Sequence, residues 1–351
     1  MIVTDDAVEP VLGLSRTELT EAMGRRWFHR PGALPSAGAC TWADLNRALQ
    51  YGNLGPDQIR LVGGEVPVGD LFRVAVAGGG RAFHRIVPEA AHRALATGAT
   101  LVIDQLDLID PWADQIARAL SGIFTARVQA NLYASLRRAP GFGAHQDTHD
   151  VFVVQGSGKK HWTVGTGTGA TDLTMCRGDV LYLPEGTRHD VATDAEGSLD
   201  ITFAVPRPNL RELLAWALDG SRDARLLAPV DTGDTAARTA ALTGQAEALT
   251  DAEVHSFVEE RLHSGMAPSF VNLPYAGQGA TEVPDAPVLF ARRSFAAVLP
   301  DGADQHARVL ECLSATEPMA VGELVSASGV DKALEVVCEL AQRGLISLSE
   351  R

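Results

Sequence analysis

The chain has 351 residues, 46% of them hydrophobic and 21% charged, and a formal net charge of −14. This length implies two or three domains, and no run approaches the ~18 apolar residues needed to span a bilayer. The acidic balance disfavours nonspecific binding to nucleic-acid phosphates; it is compatible with a basic protein or peptide as partner and equally with solubility alone.

The acidic opening "MIVTDDAVEP" lacks the basic start of an export signal, and Cys40, Cys176, Cys312 and Cys338 are too scattered to form a C-x-x-C pair or a disulfide framework. A cytoplasmic protein, without membrane or nucleic-acid partner, is the expectation.

Residues 1–120 read as a mixed α/β flank. "SRTELTEAMGRRWFHRPGAL" has a polar start and predicts a helix ending near Pro31; "TWADLNRALQ" has Thr41 as its N-cap. "PEAAHRALATGATLVIDQLD" predicts a helix stopped at Gly98 and a buried strand from Thr100 to Ile103, and "PWADQIARALSGIF" a helix with Pro111 in its first turn. Residues 121–207 then change character. "ARVQANLYASL", "HDVFVVQGSG", "KHWTVG", "DVLYLPEGTRH" and "LDITFAV" are short β-rich runs between turns, the rhythm of a sandwich or barrel. In the first run Gln129, Asn131, Tyr133 and Ser135 share one face, and Val128, Ala130, Leu132 and Ala134 the other. So polar a face beside so apolar a one suggests a barrel with a polar lumen.

Residues 208–265 read as helical, 266–304 as a connector, and 305–351 as helix, helix, helix and a short strand, an order like that of a winged helix. From His306 onward this tail carries four Lys or Arg against seven acids, so a packing or peptide-covering role is expected rather than DNA reading.

The chemistry lies in "GAHQDTHDVF" and "GDVLYLPEGTRH". The second spells G-x5-P-x-G-x2-H through Gly178, Pro184, Gly186 and His189, the second cupin motif. A strand ends at Pro184, Gly186 permits a tight turn at positive φ, and His189 opens the next strand facing inward. His145 and Asp147, two apart on a strand, would project to one face. Two imidazoles and one carboxylate form a facial triad that leaves metal positions open. His149, on the same face, is the rival ligand; Asp150 points the other way and is expected to cap or pair locally; His161 is structural or substrate-facing.

"QANLYASLRRAPGFGAHQDTHDVFVVQGSGKKHWTVG" resembles the cupin-type JmjC oxygenases, in particular their ribosomal oxygenase group. The resemblance is tight over residues 98–206 and loose elsewhere, and the first cupin motif is degenerate. It implies a mixed α+β protein with a double-stranded β-helix core, helical flanks and a C-terminal winged-helix-like module, the 208–265 region serving in a homodimer. It also implies an Fe(II)- and 2-oxoglutarate-dependent oxygenase that uses O2 to hydroxylate a side chain of a protein or peptide. His145, Asp147 and His189 fall on the family's iron ligands, Lys160 on its anchor for the distal carboxylate of 2-oxoglutarate, and Asn131 on a cosubstrate contact. Thr202 is a further candidate to line the lumen. A cation deep in the barrel suits that carboxylate, and Lys159, of opposite parity, should face outward. Two other functions stay open: a small-molecule or natural-product tailoring oxygenase, and a non-redox metal-binding cupin with His149 as a ligand.

Overall fold

The structure, a computed structural model, describes residues 13–34, 40–51, 54–80, 82–136, 143–229, 233–263, 290–293, 304–313 and 318–349. Helix α1 (Arg16–Ala22) opens on a capping box, with the Glu18 amide donating to the Ser15 hydroxyl and the Ser15 amide to the Glu18 carboxylate. It does not reach Pro31. Gly24 takes a φ of +65°, and its N–H donates to the Tyr182 hydroxyl at 2.9 Å, which turns the chain away. The expected end of that helix is instead strand β1 (Phe28–Arg30), paired antiparallel with residues 180–182.

Helix α2 (Trp42–Tyr51) starts where expected, with the Asp44 amide donating to the Thr41 hydroxyl. Strand β2 (Ile59–Val62) follows, then a hairpin of β3 (Phe72–Val76) and β4 (Ala82–Ile86) that the sequence reading did not anticipate. Helix α3 (Pro88–Ala96), the turn at Gly98 with φ +94°, strand β5 (Thr100–Ile103) and helix α4 (Pro111–Phe124) occur as expected. The Asp110 carboxylate caps α4 by accepting from the Ala113 amide at 2.9 Å.

The β-rich block folds into β6 (Gln129–Ser135), β7 (Asp150–Val164), β8 (Thr171–Met175), β9 (Val180–Leu183) and β10 (His189–Val205). These join β1, β2 and β5 in one eight-stranded sheet ordered β1-β9-β7-β10-β6-β5-β2, with β8 added along β7. The two runs expected as separate strands, "HDVFVVQGSG" and "KHWTVG", are one bent strand. Its partner β10 is also bent, and their pairing shifts register between Thr193 and Ser198 and again between Leu199 and Asp200. The bends let both ends of β7 and β10 wrap one cavity. They also switch side-chain parity: Val151 and Val153, then Lys160 and Trp162, all line it.

The apolar face of β6 (Ala130, Leu132, Ala134) joins Phe152, Tyr182, Phe203 and the inner side of α4 in the main core. A second cluster, Val151, Val153, Trp162, Val164, Met175, Leu181 and Leu183, fills the other half of the barrel.

Beyond the barrel lie α5 (Leu210–Gly220), α6 (Ala224–Leu227), α7 (Thr235–Glu247) and α8 (Asp251–His263), with α5 against both α7 and α8. Strand β11 (Phe290–Arg293) falls within the stretch expected as a connector; the rest of 266–303 lies outside the described residues. It pairs with β12 (Met319–Ala320) and β13 (Ile346–Ser349), and α9 (Asp304–Glu311), α10 (Val321–Ser328) and α11 (Ala333–Gln342) complete this C-terminal unit. It has a core of its own around Val309, Leu324, Val337, Leu340 and Ile346. Among the described residues no helix is long and apolar enough to cross a membrane.

Candidate metal centre and active site

The cavity inside the barrel has a volume of about 640 Å³. Three segments bring a ligand set into it. His189 is the first residue of β10, delivered by the turn after Pro184, where Gly186 sits at φ +75° as the motif requires. His145 and Asp147 were expected on a regular strand. They lie instead just before β7, where His145 forms an isolated bridge with His189: each amide donates to the other's carbonyl, at 2.9 and 2.8 Å. The Gly186 amide donates to the Asp147 carbonyl at 3.0 Å, so one turn positions both the second histidine and the carboxylate.

Ligand atoms of His145, Asp147 and His189 all lie within 4.8 Å of one another. His145 Nε2 is 3.7 Å from Asp147 Oδ1, and His189 Nε2 is 3.7 Å from Asp147 Oδ2. The second ring nitrogen of each histidine is occupied. Nδ1 of His145 donates to the Gly143 carbonyl at 2.8 Å, and Nδ1 of His189 to the Thr187 carbonyl at 2.9 Å. A backbone carbonyl accepts but cannot donate, so both Nδ1 atoms carry the proton and both Nε2 lone pairs face the carboxylate. This tautomer presents nitrogen to a metal. Burial of His189 holds its imidazole below its ordinary value, against the opposing pull of the Thr187 carbonyl and Asp147, and keeps it neutral at pH 7. Two imidazoles and a carboxylate, with no fourth protein ligand in the cluster among the described residues, suit a divalent metal that keeps open positions.

His149 lines the cavity but stays outside the cluster. Asp150 is fully buried and faces away from the cluster. It accepts from the Tyr182 hydroxyl at 2.7 Å, the Glu185 amide at 2.8 Å and Arg207 Nη2 at 3.2 Å. His161 sits on the outside, against the Thr174 hydroxyl at 2.9 Å.

Lys160, Asn131 and Thr202 all line the same cavity, and Lys159 is exposed. Asn131 has its carbonyl oxygen engaged and its NH2 uncommitted. Its Oδ1 accepts from the amide of Gln105, a residue at φ +55°, which leaves the Asn131 NH2 to serve a ligand. Thr202 is the register partner of Asn131 across β10 and β6.

Four further residues of the lining escaped the sequence reading as site residues: Trp162, Asp200, Tyr133 and Arg60. Three carried a usable signal, being of the same parity as Lys160, Thr202 and Asn131 respectively. Arg60 comes from β2, remote in sequence, and nothing local marks it. Trp162 keeps a buried indole N–H without an acceptor among the described residues, and its ring lies 5.6 Å from that of His189. An orphan donor in a cavity wall costs free energy unless a ligand satisfies it.

Residues 104–172 and 166–213 match the JmjC domain family. Among curated proteins, a 113-residue stretch is 30% identical to the bifunctional lysine-specific demethylase and histidyl-hydroxylase NO66 of Drosophila melanogaster, covering 26% of this chain and 17% of that protein. A 97-residue stretch is 29% identical to the ribosomal protein uL16 3-hydroxylase of Escherichia coli, covering 22% of this chain and 26% of that protein. The matched stretches thus span well under a third of these relatives' length. In three dimensions the chain is similar to the ribosomal oxygenase YcfD of Escherichia coli, solved with cobalt and succinic acid and again with cobalt and 2-oxoglutarate. Each comparison gives a TM-score of 0.64 at 17% identity, over 97% of this chain and 99% of that one. At that identity the likeness establishes the fold, and the family match makes residues 104–213 of this chain a JmjC domain.

Proposed function

We propose that the protein is an Fe(II)- and 2-oxoglutarate-dependent oxygenase that hydroxylates an amino-acid side chain in a protein or peptide. The observation that carries this reading is the triad His145, Asp147 and His189, its Nε2 atoms freed by backbone acceptors, in one cavity with a buried lysine. The donor set fits iron, and the orphaned Trp162 indole and the uncommitted Asn131 amide fit a ligand rich in acceptors.

When bound, iron with 2-oxoglutarate and O2 supplies oxidative decarboxylation to succinate and CO2 and delivers one oxygen atom to a C–H bond. The protein's own part is to hold and to shield. His145, Asp147 and His189 would hold the metal. Lys160, only 8% exposed, would hold the distal carboxylate through a charge-assisted hydrogen bond. Asn131 and Thr202 would flank the cosubstrate, and Val151, Val153, Val191 and Trp162 supply dry walls that keep water from a reactive centre. No side chain is needed as a general base.

The relatives that match are named for hydroxylation of histidyl residues and of a ribosomal protein, and the net charge of −14 suits a basic target. Within the same proposal, residues 1–120 flank the barrel core of 121–207, residues 208–265 serve dimerisation, and the C-terminal unit is winged-helix-like, in a cytoplasmic enzyme. The non-redox alternative called for His149 in the ligand set, and the position of His149 outside the cluster speaks against it. The test is incubation with Fe(II), 2-oxoglutarate, ascorbate and air, with and without a lysate fraction of small basic proteins. Succinate that rises with the fraction, together with a product heavier by one oxygen, is expected; succinate that never depends on His189 overturns the reading.

A further inference from the structure

The cation placed to hold the cosubstrate's distal carboxylate already has a carboxylate of its own. Lys160 Nζ lies 2.5 Å from Asp200 Oδ1, and Asp200, 1% exposed, lines the same cavity. Across the strands next to β10, Asp200 is in register with Tyr133 of β6 and Gln155 of β7. The Lys160 ammonium is also 5.5 Å from the centre of the Tyr133 ring. The other cation of this wall, Arg60, is likewise matched. Its Nε and Nη2 reach Asp104 at 2.5 and 2.7 Å, and it hydrogen-bonds Tyr133. The groups facing Asp200 are therefore one ammonium and one phenol, with the Arg60–Asp104 pair beyond and the His145–Asp147–His189 cluster elsewhere in the cavity. Two cations and two carboxylates sum to zero. A further carboxylate entering here adds an uncompensated negative charge in a buried space, and two carboxylates sharing one site do not both stay ionised.

We propose that Asp200 is the proton-uptake residue of this pocket: as the distal carboxylate of 2-oxoglutarate takes the Lys160 ammonium, the Asp200 carboxylate accepts one proton from solvent. This rests on the oxygenase reading above and adds to it a residue that sets cosubstrate affinity. The balance is simple. One O–H bond forms on Asp200, one proton leaves bulk water, and the charge of the wall stays at zero. Asp200 is the suitable acceptor because burial already raises its proton affinity, against the opposing pull of Lys160, whereas Asp104 is a quarter exposed and held bidentately by Arg60. The affinity for 2-oxoglutarate then falls as pH rises, by up to about tenfold per pH unit.

The experiment uses the full chain saturated beforehand with Mn(II), so that proton release from the histidines is complete. Binding of 2-oxoglutarate is followed calorimetrically between pH 6 and 8.5 in buffers of different ionisation enthalpy. Pyruvate is the comparison ligand: it has the same 2-oxo acid end but no distal carboxylate. The expected result is uptake of about one proton with 2-oxoglutarate and about none with pyruvate. Asp200→Asn should abolish the uptake, flatten the pH dependence and bind 2-oxoglutarate at least about tenfold more tightly at pH 8. Should that variant fail to fold, the two ligands on the unaltered protein still decide. Binding of 2-oxoglutarate without proton uptake, or equal uptake with both ligands, overturns the proposal. Absence of binding by either ligand to the Mn(II)-loaded protein overturns the oxygenase reading itself and removes this one with it.

Discussion

Asp150 is the buried carboxylate on which the geometry of the centre depends, and its removal has a calculable cost. It is 0% exposed and accepts from the Tyr182 hydroxyl, the Glu185 amide and Arg207. In Asp150→Ala the half-exposed Arg207 can turn to water, but the Tyr182 hydroxyl and the Glu185 amide lose their acceptor. Two stranded donors at about 1–3 kcal/mol each give an expected loss of about 2–6 kcal/mol. Asp150→Asn keeps the volume and one acceptor oxygen, so its loss should be about half as large. There is a functional consequence too. Glu185 belongs to the turn whose Gly186 amide holds Asp147 and whose Thr187 carbonyl holds His189, so metal affinity should fall about 10- to 100-fold, as for an outer-shell partner. Urea unfolding followed by tryptophan fluorescence measures the first, and competitive metal titration the second. An Asp150→Ala variant within 1 kcal/mol of the parent, with unchanged metal affinity, would refute the reasoning.

Further expectations concern the frame. Gly156 is packed so closely that a Cβ there would lie 2.4 Å from the Cys40 carbonyl oxygen and 2.9 Å from Leu199 Cδ2, so Gly156→Ala should cost at least about 1–3 kcal/mol by the same urea assay. Burial, reinforced by Asp110 and Asp44, pushes the Cys40 thiol up to about 12, so iodoacetamide at pH 8 should label exposed Cys176 first and Cys40 only on unfolding, as peptide mass spectrometry would show. The Ser15 amide, followed by the Ser15 hydroxyl and Arg30, holds the Glu18 carboxyl below its usual range. Its folded-state value being depressed, Glu18 stabilises above the ordinary value of 4.5 and loses that effect as pH falls through the folded value. Glu18→Gln should therefore cost about 0.5 kcal/mol at pH 7, kept small by solvent exposure, and progressively less as pH falls through the folded-state value.

Much of this site was legible because its logic is periodic. The alternation in "QANLY" placed Asn131 on the cavity wall, and the spacing from Gly178 to His189 encoded strand, turn and inward histidine. What escaped was decided by contacts distant in sequence. The helix expected through Arg30 breaks at Gly24, whose amide is claimed by Tyr182, 158 residues away. The regular strand expected at His145 is a single bridge, because the pairing there is with His189 alone. Asp200 shares the parity of Thr202, but its pairing with Lys160 is made between strands and no single segment reveals it, and Arg60 arrives from a strand at the far end of the sheet.

The most direct test of the central claim is an anaerobic titration of the Fe(II)-loaded chain with 2-oxoglutarate, read in the visible spectrum, where a 2-oxo acid chelated to Fe(II) gives a charge-transfer band. A band that saturates at one 2-oxoglutarate per iron, is absent in His189→Ala, and requires much more cosubstrate in Lys160→Met is the predicted result. A chain that binds no Fe(II), or a band equally strong in His189→Ala, would contradict the assignment of His145, Asp147 and His189 as the metal ligands.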